Sequence, residues 1–352
     1  MTSIRPNAPG RATMSSPFAD GAVVGCGSLP HRDPNAAAAF AIGEFGIATI
    51  PSLPSRSLAE TMLGQATAGR PGLGLDDHGM LEIADRNAPG LASNDVATGA
   101  LVDGEGFAGF RAFLDLAGKI RLDGSAVKWQ FVGPVTLGVA LERAGLDRRA
   151  AFDLASAMVR SSLIELSRVV TTALPNSPQM VILDEPWLNE LMSPGFPIPP
   201  DEAIDRMSSA MAALPSTTLT GIHCCAPCDV ATLLASGPGV ISVPVSPALL
   251  DWAGYLTRFI DEGGIVAWGV VPTDGPIGSQ ADRPWRELSD LWCGLVQRGC
   301  DPVQLRRRSL VSPQCGLASH SVSVARGIAR LTGEVGKRVS DQSSATRFAL
   351  GA

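Results

Sequence analysis

The chain has 352 residues, 45% hydrophobic and 18% charged, with a formal net charge of −6. That balance suits a globular protein with a sizeable core, and with Arg306-Arg307-Arg308 as its densest basic run it argues against nucleic acid as a partner. No apolar run reaches the roughly eighteen residues of a membrane span, and residues 1–20 lack the apolar stretch of an export signal. Seven cysteines, an odd number, then point to reduced thiols and a cytoplasmic location.

Residues 1–20 are small, polar and proline-containing, and are expected to form a disordered N-terminal tail. AVVGCGS (22–28) reads as the first strand, and Asp33 caps a helix opened by Pro34 over 34–46. IATIPSL (47–53) reads as the second strand. The stretch 54–126 is too long for a simple crossover and reads as an excursion with helices over the mouth of the fold. Further apolar runs follow at VKWQFVG (127–133), QMVILDEP (179–186), TLTGIHCC (218–225), GVISVPV (239–245), GIVAWGVV (264–271) and RSLVSPQCG (308–316). Helical patterns alternate with them over 147–174, 201–214, 247–263, 283–299 and 321–336, and residues 337–352 read as a flexible C-terminal tail.

Each run is apolar on both faces, as buried parallel strands are. Eight strands alternating with helices give an α/β fold, a (β/α)8 TIM barrel, as one domain over 21–336 with a long excursion between the second and third strands. An open doubly wound sheet is the rival, but no glycine-rich fingerprint follows the first strand.

GIHCCAPCDV (221–230) holds one histidine and three cysteines. Strand alternation puts His223 and Cys225 on one face and Cys224 on the other, so the first two form a two-ligand arm for zinc. Cys315, at the end of the last strand, would reach the same rim if all strands end on one side. Two other readings stay open: a redox Cys225-x-x-Cys228 pair, and small buried core residues, the reading preferred for Cys26, Cys293 and Cys300.

GCGSLPH, GPVTLG, LDEPWL, IHCC and SPQCGL occur here in the order of matching motifs in the catalytic barrel of cobalamin-independent methionine synthase. The chain resembles that family over about 21–336, within the wider group of uroporphyrinogen decarboxylase-like barrels and zinc-dependent alkyl-thiol transferases. The resemblance implies zinc held by His223, Cys225 and Cys315. The family's glutamate ligand has no match, since Pro244 or Val245 stands at its place. It also implies that Gly27 and Ser28 meet a substrate carboxylate and that Asp184, with Glu185 beside it, meets the substrate amine.

The implied activity is zinc-dependent methyl transfer to a thiol, most simply homocysteine to methionine. The donor would be a methylcorrinoid protein or a methylfolate, and the former is favoured because the chain has no room for a second, folate-binding barrel. The alternatives are another thiol alkylation such as epoxide opening, a decarboxylase using arginines such as Arg32 and Arg56, or a barrel without catalysis.

Overall fold

The structure is a computed structural model that describes residues 18–85, 101–122 and 124–349, with side chains as far as Gln342. Most of the expected N-terminal tail lies outside the described residues. In chain order the strands are β1 (Ala48–Thr49), β2 (Leu73–Leu75), β3 (Leu81–Ile83), β4 (Val127–Val132), β5 (Gln179–Asp184), β6 (Leu219–His223), β7 (Val240–Pro244), β8 (Ile265–Val271) and β9 (Ser309–Pro313). The helices are α1 (Pro34–Gly43), α2 (Met62–Thr67), α3 (Ala108–Lys119), α4 (Pro134–Arg143), α5 (Arg148–Ala173), α6 (Pro200–Met211), α7 (Val230–Ala235), α8 (Ala253–Asp261), α9 (Asp282–Gln297), α10 (Pro302–Arg307) and α11 (Val322–Ala349).

β2 and β3 pair antiparallel as a hairpin, and the other seven strands form one parallel sheet in the order β1-β4-β5-β6-β7-β8-β9. The run at 22–28 is not a continuous strand. It makes single parallel bridges, Val23 to Val311 of β9 and Val24 to Ile47 just before β1, and so touches both edges of the sheet. The Val24 amide donates to the Val311 carbonyl at 2.9 Å, and the Ile47 amide to the Val23 carbonyl at 2.8 Å. The sheet is therefore curled, in a mixed α/β architecture compatible with a TIM-like barrel. Two apolar cores follow from the curl. Val24, Ile47, Met180, Ile182, Val240, Ile265, Ala267 and Leu310 cluster within it, and a larger core lies between the sheet and its helices.

Strand alternation turns the residues of β4 in and out, so Lys128 and Gln130 share the inner face with Met180 and Ile182 of β5, their register partners. Lateral register then sets Asp184, His223 and Ser242 side by side on β5, β6 and β7. All three stand at or near the C-terminal ends of their strands.

The GPVTLG motif is a helix start. Gly133 precedes Pro134 at the first helical position, which leaves the amides of Val135 and Thr136 without intrahelical partners. Glu185 accepts both, at 2.9 and 2.7 Å, and is fully buried. A Cβ on Gly133 would lie 2.1 Å from a Glu185 carboxylate oxygen, so only glycine admits this cap. Glu185 thus caps the helix α4 N-terminus as a buried hydrogen-bond acceptor and does not line the cleft, where its place beside Asp184 suggested a substrate contact.

Between β1 and β4 lie α2, the hairpin and α3, tied down by buried Glu60. Its carboxylate accepts the Leu53 amide at 2.9 Å and Arg56 at 3.2 Å. At the other end, the expected tail is helix from 337 as far as Ala349. α11 continues to Ala349, because Val335 and Val339 extend its apolar seam and Arg338 pairs with Asp282 of α9 at 3.0 Å.

Burial raises the Glu185 pKa from 4.5 to about 7, against the pull of the two amides and the Thr136 side chain. A carboxyl whose folded pKa is raised takes up a proton on folding, so its contribution to stability is full below the unfolded value and is lost as pH rises through about 7. Melting temperatures measured from pH 4.5 to 8 should show wild type losing stability relative to Glu185→Gln across that window. Glu185→Ala should melt lower at every pH, having lost about 1–3 kcal/mol with its buried amides unmet.

Candidate metal centre and active-site cleft

His223 closes β6, and Cys225 follows it by two residues in the β6–α7 loop. Cys315 lies two residues beyond β9. Although ninety positions separate Cys225 from Cys315, the ligand atoms of His223, Cys225 and Cys315 all lie within 4.8 Å of one another. No other histidine, cysteine or carboxylate belongs to this group among the described residues.

His223 is 8% exposed, and its Nδ1 meets Ser242 Oγ at 2.9 Å. Its Nε2 is buried without a hydrogen-bond partner. A buried ring nitrogen left unmet costs stability, and a metal ion at this point would satisfy it. Ser242 accepting from Nδ1–H would fix the tautomer in which Nε2 carries the lone pair. Zinc bonds of about 2.0–2.1 Å to nitrogen and 2.3 Å to sulfur are compatible with this spacing after small side-chain shifts. The donor set of one imidazole and two thiols is also the chemistry zinc prefers, so the residues present fit that ion.

The electrostatics point the same way. Hydrogen bonding from Cys315 holds the Cys225 pKa below its ordinary value, while the same bond and then burial push Cys315 upward. Together the two thiols carry one negative charge readily and a second only with a cation beside them. Burial works against a charged His223, but the Cys315 sulfur and the Asp184 carboxylate outweigh it and raise its pKa. Burial likewise raises Asp184, opposed by His223 and Lys128.

These three side chains open onto a cleft of about 260 Å³, whose walls include Cys26, Ser28, Gln65, Gln130 and Asp184. Gly27, with φ of 123°, takes a backbone conformation that side-chain-bearing residues rarely adopt, and it turns the chain so that Ser28 faces the cleft. Of the residues singled out from sequence, His223, Cys225, Cys315, Ser28 and Asp184 therefore meet at one place, Gly27 borders it, and Glu185 does not reach it.

Other cysteines divide. Cys26 lines the cleft and donates to the Pro313 carbonyl at 3.3 Å, and Cys300 is buried. Cys293 is exposed, against the expectation of burial, because it sits on the outer face of α9. Cys228 is hydrogen-bonded to Cys224 and does not join the metal group. Pro244 lines a separate apolar recess with Cys228, Leu249 and Trp252 and is not among the residues lining the cleft. Arg56 is held by Glu60, and neither it nor Arg32 lines the cleft, so the arginine clamp of a decarboxylase is not assembled there. Ser242, Lys128 and Gln130 were not singled out from sequence. Their signal was present as polar residues at inward positions of otherwise apolar strands.

Among solved structures, the chain is similar to a methyltransferase from Methanosarcina mazei, at 13% identity and a TM-score of 0.56, covering 90% of this chain and 95% of that one. It is also similar to a B12-independent methionine synthase from Shewanella sp. W3-18-1, solved with selenomethionine, at 18% identity and a TM-score of 0.46 over 66% of this chain and 68% of the other. A putative vitamin-B12 independent methionine synthase from Listeria monocytogenes follows at 13% identity and a TM-score of 0.42, over 62% and 64%. No protein-family model and no curated protein matches the sequence. At these identities the likeness is one of fold, carried by the Methanosarcina mazei structure.

Metal analysis of purified protein should find close to one zinc per chain, reduced several-fold in Cys315→Ser and in His223→Ala. Ser242→Ala should keep the fold but weaken zinc roughly 10–100-fold in a chelator competition, since it removes the partner that orients the imidazole. Unchanged zinc content in Cys315→Ser would remove that residue from the ligand set.

Proposed function

We propose that this chain is a zinc-dependent thiol methyltransferase on a (β/α)8 barrel whose first strand is the 22–28 segment, with homocysteine as the acceptor. The observation that carries the reading is the convergence of His223 Nε2, Cys225 and Cys315 on one point at the floor of a substrate-sized cleft. Zinc is the cofactor, and His223, Cys225 and Cys315 would hold it. When bound, it supplies the positive charge that lets a thiol ionise at neutral pH and keep a nucleophilic sulfur.

The chain's own residues do the remaining work. Ser242 holds the His223 ring so that Nε2 faces the two sulfurs. Cys225 and Cys315 contribute the negative charge that keeps an incoming sulfur electron-rich. Asp184 presents a carboxylate to the substrate ammonium, and that cation in turn favours the ionised acid. The Gly27–Ser28 turn offers its hydroxyl on the wall. Phe131, Val132 and Pro186 give the cleft apolar surface for the methylene chain and limit water near the sulfur. The methyl donor is a methylcorrinoid protein or a methylfolate, and it approaches from the open side of the cleft.

Calorimetric titration of homocysteine into zinc-loaded protein, in two buffers of different ionisation enthalpy, should show release of about one proton as the thiol ionises. Methylcobalamin and methyltetrahydrofolate, each assayed with homocysteine, identify the donor. Asp184→Asn should keep its zinc and raise KM for homocysteine at least tenfold, with a smaller effect on kcat. Binding without proton release, or transfer to other thiols in preference to homocysteine, would overturn the reading.

A further inference from the structure

The cleft presents a charge problem. An amino-acid thiol brings both an ammonium and a carboxylate. Asp184 answers the first, but among the described residues no lysine or arginine side chain lines the walls to answer the second. A basic residue, Lys128, which is 4% exposed, lies beneath the cleft, within the curl of the sheet.

Lys128 reaches the cleft through Gln130. The two share the inner face of β4, two residues apart, with Gln130 one pleat nearer the rim. Lys128 Nζ donates to the Cys26 carbonyl and, at 2.8 Å, to Gln130 Oε1. An ammonium has no acceptor, so the amide oxygen must face it and the amide NH2 must face away. That NH2 lies against the Gly27 backbone, where a Cβ would sit 1.8 Å from Nε2. The missing side chain at Gly27 is what makes room for it. Gln130 lines the cleft with Ser28, and no protein hydrogen bond holds its Nε2 among the described residues. A donor is thus held in place by a buried lysine, whose pKa burial lowers against the pull of Asp184 and Cys26, and is left unused at the cleft wall.

We propose that Gln130 binds the carboxylate of an amino-acid substrate through Nε2, with Ser28 beside it and with buried Lys128 as the positioning residue that fixes and polarises the amide. The assignment rests on the thiol-methyltransfer reading and adds the group that selects a carboxylate-bearing thiol over a simple aminothiol. An NH2 turned outward cannot accept from an ammonium, so Asp184 and Gln130 divide the two ends of the zwitterion between them.

The test uses product-like thioethers, whose binding does not depend on thiol ionisation. L-methionine and 3-(methylthio)propylamine, which lacks the carboxylate, are titrated calorimetrically into zinc-loaded wild type, Gln130→Met, Gln130→Glu and Lys128→Met. Zinc content and melting temperature are checked for each variant. Wild type should bind methionine more tightly than the amine. Gln130→Met, similar in shape but without a donor, should weaken methionine roughly 10–100-fold and leave the amine within about twofold. Gln130→Glu should weaken methionine further and the amine not at all, since a carboxylate repels only the former. Lys128→Met should follow Gln130→Met in selectivity, which a purely structural role would not produce. Equal losses for both ligands, or methionine binding that survives Gln130→Met, would overturn the assignment alone. Wild-type protein that binds neither thioether, and shows no proton release with homocysteine, would sink the methyltransfer reading and this inference with it.

Discussion

The lateral register of parallel strands is the constraint on which the site depends. Backbone pairing across β5, β6 and β7 sets Asp184, His223 and Ser242 in one row, and none of the three can shift without a two-residue slip of a whole strand. The same parallel sense brings the end of β9 to that rim and delivers Cys315 from far along the chain. Of the candidate metal group, only His223 is held by the ladder itself, while Cys225 and Cys315 follow within two residues of strand ends that the ladder fixes.

Polar groups inside the curl follow from this arrangement. Lys128, Gln130, Asp184, His223 and Ser242 occupy inward positions that would otherwise carry Val, Ile or Leu, as Ile182, Val240 and Ala267 do nearby. Each such group costs stability unless it is met. Lys128 is met by a backbone carbonyl and an amide oxygen, and His223 Nδ1 by a hydroxyl. The groups without a hydrogen-bond partner among the described residues, His223 Nε2, Gln130 Nε2 and the Asp184 carboxylate, belong to residues that line the cleft. Ordinary burial energetics thus separates the structural polar groups from those available to a ligand.

Much of this was legible in the sequence, for physical reasons that differ by element. The runs at 127–133, 179–186, 218–225, 239–245, 264–271 and 308–316 became strands because two-faced apolarity has few other outcomes in a chain of this size. The run at 22–28 reached only isolated bridges, since Gly25 and Gly27 interrupt the ladder and Gly27 adopts a positive φ. The 47–53 run shrank to two residues ahead of Pro51, whose ring cannot donate to a ladder. α4 was not recognised because GPVTLG looks like a loop until Glu185 is seen to cap it. His223, Cys225 and Cys315 were visible by residue type. Adjacent acids resemble a site while their separate surroundings are unknown, but alternation sends Asp184 to the cleft and Glu185 to the start of α4. Gln130 and Ser242 carry no charge and drew no notice, yet their inward register gives them their roles.

The bridge between Val24 and β9 has a temporal side. Its amide donates to Val311, a partner nearly three hundred positions later, and α11 packs behind that seam through Val335 and Val339. During synthesis, the segment that turns at Gly27 is made among the first and seated among the last. Until β9 has emerged, the growing sheet keeps two unpaired margins and an unassembled cysteine pair. Such long sequence separation slows closure, so the sheet cannot curl shut, nor Cys315 meet His223 and Cys225, until nearly the whole chain has been made.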